Sequence, residues 1–283
     1  MNEIVGKRRL GPDVLRVEVA YPKLARKARP GQFVIVRASE DGERIPLTIA
    51  DTDPEAGSIT LIFQVVGKST TLLARMEPGD EVLDVVGPLG VPTEIKRFGR
   101  VLCLGGGIGA APLYPVAKAL KAAGNAVTTI LGGRSKNLVI LENEFRAISD
   151  DVVVTTDDGT YGRKGFVTDA LNDLLAAGER FDRAWAIGPV PMMKAVCDVT
   201  RGAGIPTVVS LNPIMVDGTG MCGGCRVIVD GKVKFACVDG PEFDGHQVDF
   251  DTLAKRLTTY RDRELRDHET CRIGLGTAGR KDL

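Results

Sequence analysis

Three of the six cysteines fall within sixteen residues, as Cys222-x2-Cys225-x11-Cys237, in the glycine-rich stretch SLNPIMVDGTGMCGGCRVIVDGKVKFACVDGPEFDGH. Thiolates this close, among glycines that permit sharp turns and let backbone N–H groups donate to sulfur, suit an iron–sulfur cluster. Plant-type [2Fe–2S] sites space their first three ligands as C-x4-C-x2-C. Counting back from Cys222 puts Asp217 in the first slot of that spacing. A carboxylate carries the same single negative charge as a thiolate but is a harder, less covalent donor. Two other readings stay open: a Cys3His zinc site that recruits His246, and an Asp217–Gly218 turn with the fourth ligand elsewhere. Cys103, on an apolar strand, and Cys197, on a helix, read as small core residues.

A second signal is Gly105–Gly106–Gly107–Ile108–Gly109–Ala110–Ala111–Pro112, where an apolar strand runs into a helical pattern. Glycines at such a turn let the backbone approach a pyrophosphate, whose charge meets the free N–H groups and positive end of the helix. The usual dinucleotide fingerprint has a third glycine where Pro112 stands, and an acidic residue at the end of the second strand. Here that strand reads Ile130–Leu131–Gly132–Gly133–Arg134. Taken alone, the glycines also fit a tight turn with no ligand. Two histidines, His246 and His268, leave little for histidine catalysis, so the chemistry rests on something other than an acid–base triad.

The elements that position these groups fall into four segments. Residues 1–97 read as short strands (13–21, 31–39, 46–53, 58–67 and 80–87) divided by turn signals such as Glu77–Pro78–Gly79, which suggests an antiparallel β-barrel. Across 98–208 apolar strands (101–107, 126–133, 151–159, 184–190) alternate with helices (112–124, 137–148, 168–177). That alternation describes a parallel, doubly wound α/β domain. Residues 209–250 form a small C-terminal unit around the cysteines. The tail, 251–283, carries Leu253, Leu257 and Tyr260 at helical spacing and then turns polar.

Lys+Arg equals Asp+Glu at 37 each, so no excess charge points to nucleic acid or an anionic membrane. No apolar stretch is long enough to span a bilayer, and MNEIVGKRRLG lacks the apolar run of a signal peptide. The expectation is a cytoplasmic protein with neither a nucleic-acid nor a membrane partner.

GGGxGxAP followed later by a Gly–Pro strand end resembles the ferredoxin–NADP reductase superfamily. Thr156–Asp157–Asp158–Gly159–Thr160 and Gly188–Pro189–Val190–Pro191–Met192–Met193 fit that family's other two nicotinamide loops. The resemblance implies nucleotide contacts from Gly106, Gly107, Gly109, Ala110, Pro112, Asp157, Asp158, Gly188, Pro189 and Met192. It also places a flavin-binding barrel first, with an Arg-x-x-Ser/Thr strand motif where Arg44–Ile45–Pro46–Leu47–Thr48 stands. Arg44 would then neutralise the flavin diphosphate and Thr48 would lie near the reactive end of the isoalloxazine, with Pro46 and Leu47 between them. Many relatives have Tyr at the position of Leu47, so ring stacking is supplied differently here. Gly67–Lys68–Ser69–Thr70 resembles the second phosphate loop, with Gly67, Ser69 and Thr70 as its contacts.

Residues 1–250 as a whole resemble electron-transfer subunits that combine these parts with a C-terminal [2Fe–2S] loop. Those of dihydroorotate dehydrogenase carry four cysteines. The small subunits of NADH-dependent ferredoxin:NADP+ oxidoreductases carry Asp in the first position, as Asp217 stands here. The second branch implies FAD, NAD(H) and a [2Fe–2S] cluster held by Asp217, Cys222, Cys225 and Cys237. It also implies an electron-bifurcating complex, with a larger partner carrying another FAD, [4Fe–4S] clusters and the sites for NADP(H) and ferredoxin. Locally, Arg134, Ser135 and Lys136 could hold a 2′-phosphate, so the residues leave NAD against NADP open where the family points to NAD. The alternative of a different class is a partner-binding module that keeps the fold without turnover, and it predicts a colourless protein.

Overall fold

The computed structural model describes residues 2–266; the polar end of the tail, with His268 and Cys271, lies outside them. Strands β1 (Ile4–Gly11), β2 (Val14–Ala20), β3 (Phe33–Arg37), β4 (Ile45–Asp53), β5 (Ser58–Gln64) and β6 (Asp84–Leu89) make one antiparallel sheet. Its order is β1-β2-β5-β4-β3-β6. A bridge between Glu3 and Glu81 brings the two edges together into a barrel. Alternation along the strands sends Val17, Val19, Val34, Val36, Ile59, Leu61 and Phe63 inward to its core. Two short helices, α1 (Pro22–Lys27) and α2 (Lys68–Arg75), sit in the connections. Strand β1 was not expected: its KRRL stretch reads as polar, and Ile4 is its only fully buried residue.

The second half contains β7 (Arg100–Gly106), α3 (Ala110–Ala122), β8 (Ala126–Gly133), α4 (Glu142–Ile148), β9 (Asp151–Thr156) and β10 (Arg163–Lys164). It continues with α5 (Val167–Ala176), β11 (Arg183–Ile187), α6 (Val190–Gly202) and β12 (Thr207–Ser210). A hairpin, β13 (Arg226–Val229) and β14 (Lys232–Phe235), then precedes β15 (Glu242–Asp244) and α7 (Phe250–Leu257). The large sheet runs β10-β9-β8-β7-β11-β12-β15, parallel except for β15 at its edge. Helices α3 and α4 cover one face, and α5 and α6 the other. Leu113, Val116 and Leu120 are buried along α3, as their spacing requires.

The helix expected over 137–148 is broken. Ile140 and Leu141 are buried as core residues, Leu141 takes φ +59°, and α4 starts only at Glu142. The cysteine-bearing segment is built into the larger fold. β15 extends the seven-stranded sheet, and Cys225, Cys237, Val227 and Ala236 share one apolar core with Phe33 and Ile35 of the barrel.

Candidate functional site

Strand β7 lies between β8 and β11. Its chain continues into α3 on one face, while that of β11 continues into α6 on the other. Ligands bind at such a switch point, at the carboxyl ends of the strands. Here the two loops meet almost backbone to backbone. A Cβ on Gly109 would fall 2.7 Å from the Gly188 Cα, and one on Gly106 would run into the Met192 Sδ and lie 3.1 Å from the Pro189 Cδ. Gly107 takes φ +54° at the turn itself. Ala110 opens α3, and Pro112 falls in its first turn, where its missing N–H leaves no helical bond unmade. Gly106, Gly109, Gly188, Pro189 and Met192 therefore meet where the two loops come together, with Gly107, Ala110 and Pro112 on the same turn into α3.

The loops after β8 and β9 are tied to each other. Asp157 N donates to Gly133 O at 3.0 Å and Asp158 N to Arg134 O at 3.2 Å. The Asp158 Oδ1 accepts from Thr160 N (2.9 Å) and Thr160 Oγ1 (2.7 Å), and these bonds hold its carboxyl below the ordinary range. Lys136 N donates to the same Thr160 hydroxyl at 3.0 Å, and the Lys136 ammonium stands 5.2 Å above the Tyr161 ring. The basic residues at the end of β8 and the acidic loop after β9 form one exposed rim.

In the barrel, Ile45, Leu47 and Ile49 face the barrel core, whereas Ala50, of opposite parity, packs against the core under α3. Pro46 and Thr48 share the parity of Ala50 and are half-buried on the outer face, while Leu47 turns inward. Arg44 precedes this run, and its guanidinium is held on two sides: Nε donates to Val216 O at 3.1 Å and Nη1 pairs with the Asp84 Oδ2 at 3.4 Å. The second motif starts α2. Gly67 is its N-cap, Thr70 Oγ1 accepts from Gly67 N at 3.0 Å, and the buried Ser69 hydroxyl accepts from Glu43 N at 3.1 Å. Ser69 thus joins this loop to the residue before Arg44. The first-turn N–H groups of α2 have no partner within the helix, which suits a diphosphate.

The sulfur loop converges more tightly. The Cys225 and Cys237 sulfurs stand 3.2 Å apart, both buried and both unlinked. Burial, then the neighbouring Cys225 thiol, pushes the Cys237 thiol up, which favours its neutral form unless a cation stands beside it. That donor set fits a cluster, whose iron supplies the charge. Cys222 is exposed, and its sulfur accepts from Gly224 N at 3.4 Å. Asp217 reaches back to it: Oδ1 accepts from Thr219 N (2.9 Å) and Oδ2 from Cys222 N (2.8 Å), which holds the carboxyl below its ordinary range. Each oxygen keeps a further lone pair, so this turn geometry is compatible with ligation. His246, the residue a zinc site would recruit, instead places Nε2 3.0 Å from Thr200 Oγ1 on α6. Among the described residues, no three Cys, His, Asp or Glu side chains close on a single ion. Cys103 and Cys197 are buried and pushed up to about 12, chiefly by desolvation, as core thiols are.

Two residues escaped the sequence. Gly218 is buried at φ +77°, where a Cβ would meet the Leu89 Cδ1 at 2.6 Å and the Ile35 Cγ1 at 2.9 Å. The Asp-Gly pair signals the turn but not the barrel under it. Glu242, accepting from Thr93 Oγ1 at 2.7 Å between barrel and sheet, reads in sequence as a loop charge.

Fold and site together define a nicotinamide-dependent flavin and iron–sulfur oxidoreductase. Family models agree: residues 103–198 match the oxidoreductase NAD-binding domain, and 212–249 match the iron–sulfur cluster binding domain of dihydroorotate dehydrogenase B. The chain is 54% identical over 282 residues to a dihydroorotate dehydrogenase B (NAD(+)) electron transfer subunit homolog of Thermotoga maritima, covering 100% of this chain and 98% of that one. It is 37% identical to the electron transfer subunit of Geobacillus thermodenitrificans, covering 87% and 96%. A chain in the solved NADH-dependent reduced ferredoxin–NADP oxidoreductase, described in terms of flavin-based electron bifurcation, superposes with a TM-score of 0.91. That pair shares 54% identity, over 95% of this chain and 97% of that one. This chain belongs to the family of dihydroorotate dehydrogenase B-type electron transfer subunits and works with FAD, a [2Fe–2S] cluster and NAD(H). Among the described residues, no helix is long and apolar enough to cross a membrane.

Proposed function

We propose that the chain is the small subunit of an electron-bifurcating NADH-dependent ferredoxin:NADP+ oxidoreductase. In this reading a larger partner carries another FAD, [4Fe–4S] clusters and the sites for NADP(H) and ferredoxin. The observation that carries it is the shared core of flavin barrel and sulfur loop, Phe33 and Ile35 packed with Cys225 and Cys237, which gives a hydride entry and a one-electron exit within one chain. The full-length match to the bifurcating oxidoreductase and an aspartate in the first ligand slot favour this branch over dihydroorotate oxidation. The buried free thiols suit a reducing cytosol.

The chain's own residues supply binding and orientation. Gly106, Gly107, Gly109, Ala110, Pro112, Gly188, Pro189 and Met192 hold the nicotinamide nucleotide in the crevice, with Asp157 and Asp158 at its rim. Arg44, Gly67, Ser69 and Thr70 hold the flavin diphosphate, while Pro46, Leu47 and Thr48 form the strand beside the ring. Asp217, Cys222, Cys225 and Cys237 ligate the cluster. When bound, flavin converts the two-electron hydride chemistry of nicotinamide into the single-electron steps an iron–sulfur centre accepts. No general base is needed: the described histidine, His246, is engaged with Thr200. The test is turnover of the purified chain. NADH oxidation with artificial acceptors is expected, without efficient reduction of NADP+ or ferredoxin; full-rate ferredoxin-dependent NADP+ reduction by this chain alone would overturn the partner requirement.

A further inference from the structure

We propose that Arg44 is a positioning residue for the iron–sulfur centre, holding the turn that carries Asp217 against the flavin barrel and so fixing where the cluster stands relative to the flavin. This rests on the functional reading above, which supplies both groups. The Arg44 Nε donates to Val216 O at 3.1 Å, joining residues 172 positions apart. Its Nη1 is anchored by Asp84 at 3.4 Å, and Asp84 opens β6 in register with Arg37 of β3. Val216 is the residue before Asp217, so its carbonyl cannot move without the Asp217 backbone. The Asp217 carboxylate in turn holds Thr219 N and Cys222 N. A continuous path runs Asp84–Arg44–Val216–Asp217–Cys222 from barrel wall to exposed thiol.

An apolar hold reinforces the polar one. Gly218, at φ +77°, lies on Ile35 and Leu89 so closely that no side chain fits between them. At the other end of the loop, just past Cys237, Gly240 O accepts from Val91 N at 2.7 Å. The sulfur loop is thus registered on the flavin barrel at both ends. Electron transfer between fixed centres depends steeply on their separation, so a seam of this kind bears on rate as well as on stability. Two plainer roles for Arg44 make different predictions. An arginine that only pairs with Asp84 would be replaceable by lysine. One that only neutralises the flavin diphosphate would change flavin retention and leave the cluster untouched.

The experiment uses full-length holoprotein, kept anaerobic with saturating FAD, as wild type, Arg44→Lys, Arg44→Gln and Gly218→Ala. Three quantities are read: the EPR spectrum of the reduced cluster, its midpoint potential, and the ratio of cluster-reduction to flavin-reduction rates after mixing with NADH. Arg44→Lys keeps the charge but cannot present Nε to Val216. Its cluster signal should broaden or shift, and the rate ratio should fall by about tenfold, as expected for a misplaced reacting centre. Gly218→Ala, with Arg44 intact, should do the same from the other side of the seam. Wild-type signal, potential and rate ratio in both Arg44 variants at full flavin occupancy would overturn the proposal. Wild-type protein with neither NADH-reducible flavin nor a cluster signal would overturn the functional reading itself, and the positioning role with it.

Discussion

The sulfur atoms of Cys225 and Cys237 meet at 3.2 Å inside the core, although twelve positions separate them in the chain. Both thiols are buried and Cys237 is raised above its ordinary value, so metal binding is coupled to loss of the Cys237 proton. Chelation of the iron should therefore be easier at low pH and should lower the melting temperature. Each kcal/mol lost shifts Tm by about 2–4 °C in a chain of this size. Calorimetry before and after chelation checks this; an unchanged Tm with all iron removed would show that the loop is held without its metal.

Gly109→Ala should cripple the nicotinamide crevice. The new Cβ would press on Ile187 O and on Gly188, backbone that cannot step aside. Overpacking of this kind typically costs about 1–3 kcal/mol. KM for NADH should rise several-fold while FAD and iron contents stay full. Unaltered NADH kinetics would mean that the two loops part more readily than their packing suggests.

Glu242 gives stability a pH slope. Burial pushes its carboxyl up to about 7, against Thr93, Trp185 and Arg183, which favour the anion. The folded state then binds a proton more tightly than the unfolded chain. The contribution is fully present below the ordinary value of 4.5 and is lost as pH rises through about 7. Glu242→Gln should flatten this slope and stabilise the protein at pH 8, by at most roughly 3 kcal/mol. His246, lowered mainly by burial, acts with the opposite sign but is common to both proteins, so the difference isolates Glu242. Denaturant titrations of the pair at pH 5 and pH 8 measure it; parallel pH profiles would contradict it.

Asp217→Cys should keep a [2Fe–2S] cluster and lower its potential, because a thiolate donates more electron density to iron than a carboxylate does. Asp217→Ala should make the cluster labile. If Asp217 serves only as a turn, its loss would remove the two bonds to Thr219 N and Cys222 N and leave the potential alone. Redox titration of the EPR signal separates these outcomes.

The motifs were legible because each is local: a glycine run at a strand end, a cysteine spacing, an alternating strand beside Arg44. The architecture followed from periodicity, since apolar runs such as VLCLGGG leave a strand buried on both faces few alternatives. What stayed hidden depends on distant neighbours. Leu141 breaks a helical pattern because its side chain is wanted in the core. Glu242 joins a sheet edge that periodicity over three residues cannot announce. The bond from Arg44 to Val216 spans most of the chain, and no window of sequence contains both ends.

The most direct measurement is anaerobic addition of NADH to the purified, reconstituted protein, followed by visible absorbance, EPR, and iron and sulfide analysis. The expected result is a brown protein whose flavin bleaches, with a reduced [2Fe–2S] signal at two irons and two sulfides per chain. A colourless protein, or one whose flavin and cluster stay oxidised under excess NADH, would contradict it.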